Sequence, residues 1–297
     1  MCASRSTVPW RGRGISGRLK PEDLQISDYR YGTTLALRKC QVCAFIFAEG
    51  SELETLTTLY EALADPEYEA SQHARRLQMC HLLTLARRFH KTARSVLDIG
   101  AATGLLVAEA RRFGLEAVGV EPSHSLVETA RRSNGVELLQ GAFPHPTLLG
   151  RRFDLVFLVD VIEHVATPVQ LLGAAAGALA PGGRLVLVTP DVGSVAARLL
   201  GRRWWHFRLA HVGYFSRDSL VRAIDAAGLT VVRRARAGWC FPVGYLATRA
   251  AVYLPISRLL KRAERGRWLG KLFTRVIPVN LRDSFLVLLQ RKEDVVA

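Results

Sequence analysis

The sequence predicts an α/β fold, a doubly wound parallel sheet with helices on both faces, and three observations predict it. A short apolar run, Ser95-Val-Leu-Asp98-Ile99, ends in an acid and passes directly into Gly100-Ala-Ala102-Thr-Gly104. Apolar runs of strand length then alternate with segments of helical spacing to the end of the chain, the order that builds a parallel sheet. A second acid, Glu121, closes the next run, at the carboxyl edge where such sheets bind their ligands.

The first unit reads as strand, tight turn and helix. Gly100 and Gly104 permit backbone angles that a Cβ opposes, and they let main chain approach a ligand closely. Leu105, Leu106, Ala108, Ala110 and Phe113 follow at helical spacing. Further strands are expected near 115–121, 136–140, 153–159, 184–189, 229–237 and 282–291. Helices are expected near 104–113, 123–134, 167–179 and 216–227. Upstream, residues 1–20 read as a flexible basic arm, and 29–48 as a hairpin holding Cys40-x-x-Cys43. Two thiolates at that spacing make half of a zinc ribbon, and the missing second pair predicts a metal-free relic. Helices over 51–63 and 67–91 follow. The second carries an apolar stripe that packs on the main domain and lids its mouth, with His81 packed in it. The chain therefore divides into an appendage over 1–91 and a main domain over 92–297, with an insertion at 239–276.

Composition narrows the function. Of 297 residues 49% are hydrophobic, enough for a sizeable core. Five scattered cysteines argue against a disulfide framework and for a reducing, cytoplasmic setting. The N-terminus lacks an apolar export segment, and no run of about 18 residues is free of charge. The net charge of +15 is unevenly placed: residues 1–20 carry +5 and residues 244–276 carry +7, which leaves the body nearly neutral. In the insertion, Ile256, Leu259, Leu260 and Ala263 share a helical face beside Arg258, Lys261, Arg262 and Arg265, and Trp268, Leu272 and Phe273 continue it. A basic amphipathic helix of this kind suits an anionic bilayer surface, or packs on its own domain or a second subunit.

Asp98-x-Gly100-x-Ala102-x-Gly104 resembles motif I of the class I S-adenosylmethionine-dependent methyltransferases, with alanine at the middle glycine. Glu121 after the second strand, Asp160-Val-Ile-Glu163-His164 after the fourth, and the turn Pro181-Gly-Gly before the fifth extend the resemblance over 92–291. Glu163-His164-Val165 and that turn place it near the ubiquinone-biosynthesis O-methyltransferases. The resemblance implies a seven-stranded Rossmann-like sheet whose last strand runs antiparallel between the fifth and sixth. It implies S-adenosyl-L-methionine as cofactor, with Glu121 on the ribose and Asp98 near the methionine amino end. Gly100, Ala102 and Gly104 would pass beneath the ligand. Ala142 and Phe143 would border the adenine, without the acid that many relatives have there, and Asp160 would face the cofactor mouth.

Methyl transfer needs in-line approach of a nucleophile, and a base helps if that nucleophile starts protonated. His164, His206 and His211 are the candidates, the last two in the aromatic segment Trp204-Trp205-His206-Phe207-Arg208 and beyond. No residue is assigned to a resident metal, although adjacent Glu163 and His164 could share a divalent cation with an acceptor oxygen. Trp204 and Trp205 suit core or substrate wall equally. The Asn/Asp-Pro-Pro-aromatic turn of base-amine methylases is absent, so nucleic acid is disfavoured as a partner. The expected activity is methyl transfer to an oxygen or carbon of a small or lipid-like acceptor. The alternatives are a nicotinamide-dependent oxidoreductase and a catalytically silent membrane scaffold.

Overall fold

The computed structural model describes residues 7–10, 19–25, 30–50, 52–65, 72–253 and 272–295. Its main sheet has seven strands. In chain order these are β4 (Ser95–Ile99), β5 (Glu116–Glu121), β6 (Leu139–Gln140), β7 (Phe153–Val159), β8 (Leu179–Pro190), β10 (Leu229–Arg236) and β13 (Ser284–Arg291). Their spatial order is β10-β13-β8-β7-β4-β5-β6. Only β13 runs antiparallel to its neighbours, and it lies between β8 and β10 as expected. The chain builds outward from β4 to β6 and returns to place β7 on the other side of β4. That reversal opens a crevice at the carboxyl ends of β4 and β7, the place where open α/β sheets bind ligands.

Alternation along the strands fills both faces, which is why the central strands read as continuous apolar runs. Val156 and Leu158 of β7 point into one core, with α5 (Pro168–Gly177) and α7 (Arg217–Ala226) over it. Leu155 and Phe157 point into the other, covered by α2 (Gln72–Phe89), α3 (Leu105–Arg112) and α4 (His124–Asn134). The stripe on α2 is narrower than its apolar residues suggest. Ala74, Gln78, Leu82, Leu83 and Ala86 are buried, whereas Leu77 and Phe89 are exposed. His81, expected to pack, is exposed as well: it falls between the buried positions on the solvent side of the turn.

A second, four-stranded sheet orders as β1 (Thr7–Trp10), β2 (Leu37–Cys40), β3 (Ile46–Ala48) and β9 (Gly213–Tyr214). Its first three strands come from the appendage, and β9 comes from the segment after β8; Thr7–Trp10, expected within a flexible arm, is instead a strand held by the backbone ladder of Leu37–Cys40. The appendage and that segment therefore share one core. Leu35, Leu37, Ile46 and Leu63 pack with Trp204, Phe207, Val212 and Tyr214, and α1 (Glu52–Glu61) and α6 (Val195–Leu200) close it. Cys40 is buried at the end of β2, and Cys43 is half-buried in the hairpin turn.

The ends of the insertion pair as β11 (Trp239–Pro242) and β12 (Val276–Val279), and α8 (Val243–Ala250) follows β11. Most of the amphipathic stretch expected after Arg249, including Ile256, Leu259, Leu260 and Trp268, lies outside the described residues. No described helix is long and apolar enough to cross a membrane.

Candidate active site

The crevice between β4 and β7 opens into a cavity of about 950 Å³. Asp98, Gly100, Ala102, Glu121, Ala142, Phe143, Asp160, His164, His206 and His211 all line it. Of the expected site residues, Gly104 alone stands back. It caps α3 at φ +71°, and a Cβ there would meet Val136 at 2.5 Å, so it shapes the turn instead of touching the cavity. Gly100 at φ +76° lets the chain pass under Val161, which a Cβ would meet at 2.6 Å. Ala102 takes φ +47°, the conformation a glycine would hold, despite its Cβ.

One end of the cavity is acidic. Glu121 accepts the Ala102 N–H at 2.8 Å and the Ser123 N–H at 2.9 Å, which ties the turn after β4 to the end of β5. Each carboxylate oxygen keeps a second lone pair for a ligand hydroxyl. Burial raises the Glu121 pKa to about 7 against those two hydrogen bonds. Burial and the neighbouring Glu121 raise Asp98 to about 7 as well. Asp160, at φ +54° after β7, is also pushed up to about 7 by burial, and its Oδ1 has no partner among the described residues. Three buried carboxyl groups of this kind fit a cationic ligand, whose charge offsets their desolvation.

The histidines meet at the centre. The His164 and His211 rings stand edge to face at 4.6 Å, and His206 stacks on His211 at 5.7 Å. His164 occupies a single 3₁₀ turn, Ile162–His164, that follows β7. Its Nδ1 lies 2.8 Å from the Ala210 carbonyl and against the Tyr60 hydroxyl. A carbonyl can only accept, so Nδ1 carries the hydrogen and Nε2 keeps the lone pair. Burial drives the His164 pKa down to about 4 and the His211 pKa well below its ordinary value, so both rings are neutral near pH 7. Glu163 moves the other way: burial and the Asp160 charge hold its pKa well above the carboxylate range. Its Oε2 accepts from Thr189 at 2.9 Å, while Oε1, like His211 Nδ1, has no partner among the described residues. Ligand atoms of Glu163, His164 and His211 lie within 4.8 Å of one another, a donor set that could hold a divalent cation.

His206 is tethered. Its Nε2 lies 3.4 Å from Asp283 Oδ2, which also receives the Trp204 indole N–H at 3.4 Å. Burial pushes Asp283 upward, but the hydrogen bonds from His206 and Trp204, together with the His206 charge, outweigh it and keep the carboxyl low. The two tryptophans thus part company: Trp204 is fully buried in the appendage core, and Trp205 lines the cavity.

Several site residues had no sequence signal. Tyr60 comes from α1, 104 positions before His164. Tyr31, Arg208 and Arg249 share a cavity wall, and no spacing rule links a turn, a loop and α8. Arg249, counted with the basic residues that would face a bilayer, is 9% exposed and turned into the cavity. Its neighbours Tyr31 and Tyr245 draw it inward by cation–π contact.

A family model described as a methyltransferase domain matches residues 71–234. The chain is 33% identical over 139 residues to a ubiquinone biosynthesis O-methyltransferase of Bradyrhizobium, which covers 43% of this chain and 51% of that protein. It is 32% identical over 151 residues to the protein of the same name from Cereibacter sphaeroides, covering 47% and 61%. The match thus spans about half the length of the first of these relatives. Among solved structures, the mitomycin 7-O-methyltransferase MmcR superposes with a TM-score of 0.51 at 18% identity, over 82% of this chain and 62% of that one. A SAM-dependent methyltransferase from Archaeoglobus fulgidus gives 0.50 at 14% identity, over 74% and 95%. At these identities the structures share the fold.

Proposed function

Because the chain belongs to the methyltransferase-domain family, we propose that it moves a methyl group from S-adenosylmethionine to an oxygen or carbon of a small or lipid-like acceptor. One observation carries this reading: the motif I turn, Glu121, Asp160 and all three candidate histidines line a single cavity. The bound cofactor would supply an electrophilic methyl group on a positively charged sulfur. Glu121 would take the ribose hydroxyls on its remaining lone pairs, and Asp98 and Asp160 would receive the ammonium end. The nicotinamide alternative gains nothing from these comparisons.

His164 and His211 line the same cavity, and on this reading either would take the proton of an acceptor hydroxyl. As free bases they are weak, because burial favours their neutral forms. Neutral imidazoles are, however, ready metal ligands. A divalent cation held by Glu163, His164 and His211 would lower the acceptor pKa and repay the burial of the Glu163 charge. Glu163 Oε1 and His211 Nδ1, without partners among the described residues, favour this second reading over a simple base.

Calorimetry tests the cofactor. S-adenosylmethionine and S-adenosylhomocysteine should bind, NAD should not, and Glu121→Ala should weaken binding by roughly tenfold or more per lost charge-assisted hydrogen bond. Unchanged affinity in that variant, or tighter binding of NAD, ends the reading. For the histidines, His211→Ala should lower turnover about 10²–10⁴-fold while leaving S-adenosylhomocysteine affinity intact. Turnover abolished by chelator and restored by added Mg²⁺ or Mn²⁺ identifies the metal-assisted form; chelator-insensitive turnover identifies the base.

A further inference from the structure

The appendage reaches the histidines through one side chain. Along α1 and just after it, Leu56, Thr57, Tyr60 and Leu63 line the cavity, a stripe at helical spacing. The exit of this helix is fastened. The Ser123 hydroxyl donates to the Leu63 carbonyl at 2.7 Å, and the Ser123 N–H is one of the two that Glu121 holds. Tyr60 stands about one turn before that fastening. Its hydroxyl meets His164 Nδ1 and donates to the Ala210 carbonyl at 3.1 Å. Its ring stands edge to face against the His164 ring, with centres 5.6 Å apart. Burial, followed by the charges of Glu163 and Glu121, holds the Tyr60 pKa well above its ordinary value, so the hydroxyl keeps its hydrogen.

These contacts decide where the imidazole hydrogen sits. The Tyr60 hydroxyl has one hydrogen, and the Ala210 carbonyl takes it. Its lone pairs are left for His164 Nδ1, which lies 2.8 Å from the same carbonyl. Two accepting oxygens thus face Nδ1, and an Nδ1–H is shared between them as a three-centre bond. The opposite tautomer would set an Nδ1 lone pair against the carbonyl oxygen. Free histidine favours that opposite tautomer, with its hydrogen on Nε2, so the fold has to impose this one. We propose that Tyr60 is a positioning residue for methyl transfer: the appendage presents its hydroxyl so that His164 holds its hydrogen on Nδ1 and offers the Nε2 lone pair to the cavity. Which ring nitrogen carries hydrogen is set by the bond that the other makes. A proton acceptor and a metal ligand both need that lone pair, so the role is the same under either chemistry. The proposal rests on the methyl-transfer reading for its catalytic meaning, whereas the tautomer does not depend on it.

Nitrogen-15 NMR of the full chain, labelled at histidine, tests this, because a ring nitrogen that bears hydrogen and one that holds a lone pair resonate far apart. The His164 signals are assigned by their absence in His164→Gln. Near pH 7, where this ring is neutral, they should show Nδ1–H favoured by about tenfold or more. Tyr60→Phe keeps the ring and loses the hydroxyl, and the preference should fall about two- to tenfold, the worth of one hydrogen bond. Methyl transfer from labelled S-adenosylmethionine into a metabolite extract should fall about 10–100-fold in the same variant, as it does when the partner that orients a histidine is lost. A wild-type His164 that is mixed or carries its hydrogen on Nε2 overturns the proposal, and this outcome needs no variant to fold. A tautomer preference unchanged in Tyr60→Phe overturns it too, as does undiminished transfer alongside a shifted tautomer. A wild-type chain that neither binds S-adenosylhomocysteine nor transfers label would instead overturn the methyl-transfer reading and leave the tautomer result standing.

Discussion

Ala102 stands where the resembling motif has its middle glycine, and it adopts the glycine conformation at φ +47°. A left-handed alanine costs about 1 kcal/mol, and the Ala102 N–H to Glu121 hydrogen bond helps to hold it there. Asp98 and Glu121 add a second local cost, the burial of two neighbouring carboxyl groups. Their pKa values rise from 3.8 and 4.5 to about 7. A raised acid binds a proton in the folded chain that the unfolded chain has released. The stability these groups contribute is therefore full below their unfolded pKa values and lost as the pH climbs through 7. A cationic ligand bearing hydroxyls reverses the preference by favouring the ionised pair. The melting temperature of the ligand-free protein should thus fall between about pH 5.5 and pH 8, and S-adenosylhomocysteine should raise it more at the upper value. Scanning calorimetry at both pH values, with Asp98→Asn and Glu121→Gln as controls, checks this. A ligand-induced gain that is the same at both would dissociate the two carboxyls from binding.

The pairing of β3 with β9 joins the appendage to the cavity that His164 and His211 line. Ile46 and Phe47 face Tyr214 and Gly213, and Val212, one residue earlier, donates to the Glu163 carbonyl at 2.8 Å. Phe45 closes the joint. It is buried, its ring lies 4.7 Å from Phe215, and Gly213 leaves it room, since a Cβ there would come within 3.0 Å. Phe45→Ala should cost about 3–5 kcal/mol of stability, the usual range for an aromatic ring removed from a core. It should also lower turnover, because β9 and the Glu163 backbone lose their shared support although no reacting group has changed. Affinity for S-adenosylhomocysteine, which on the proposed reading rests on β4 and β5, should survive at a temperature where the variant is folded. Calorimetric melting together with ligand titration separates these effects, and an unchanged turnover would mean that β9 is positioned by its other contacts alone.

The whole chain carries its surplus charge at two places, and one of them, 244–276, bears on location. We propose peripheral attachment to an anionic membrane surface there. Each basic side chain at such a surface contributes about 1 kcal/mol, falling off within a Debye length. With Arg249 turned inward, the remaining cations of the insertion should sediment the protein with anionic vesicles at low salt and release it at high salt. Retention at high salt would point to apolar insertion, and failure to sediment at low salt would eliminate the idea. Much of the molecule was legible from local pattern. The glycine turn, the acids at the carboxyl ends of β4, β5 and β7, and the alternation of strands and helices depend on neighbours within one βα unit, and such short-range rules are written in spacing. The position of β13 followed from family resemblance. Tertiary structure alone decided that Tyr60 meets His164, that β3 meets β9, and that Arg249 faces Tyr31 across 218 positions. It also decided that His81 is exposed and that Trp204 is core while Trp205 is wall. Those outcomes depend on which surfaces become neighbours after folding, and periodicity along a chain carries no information about what comes to lie across from it.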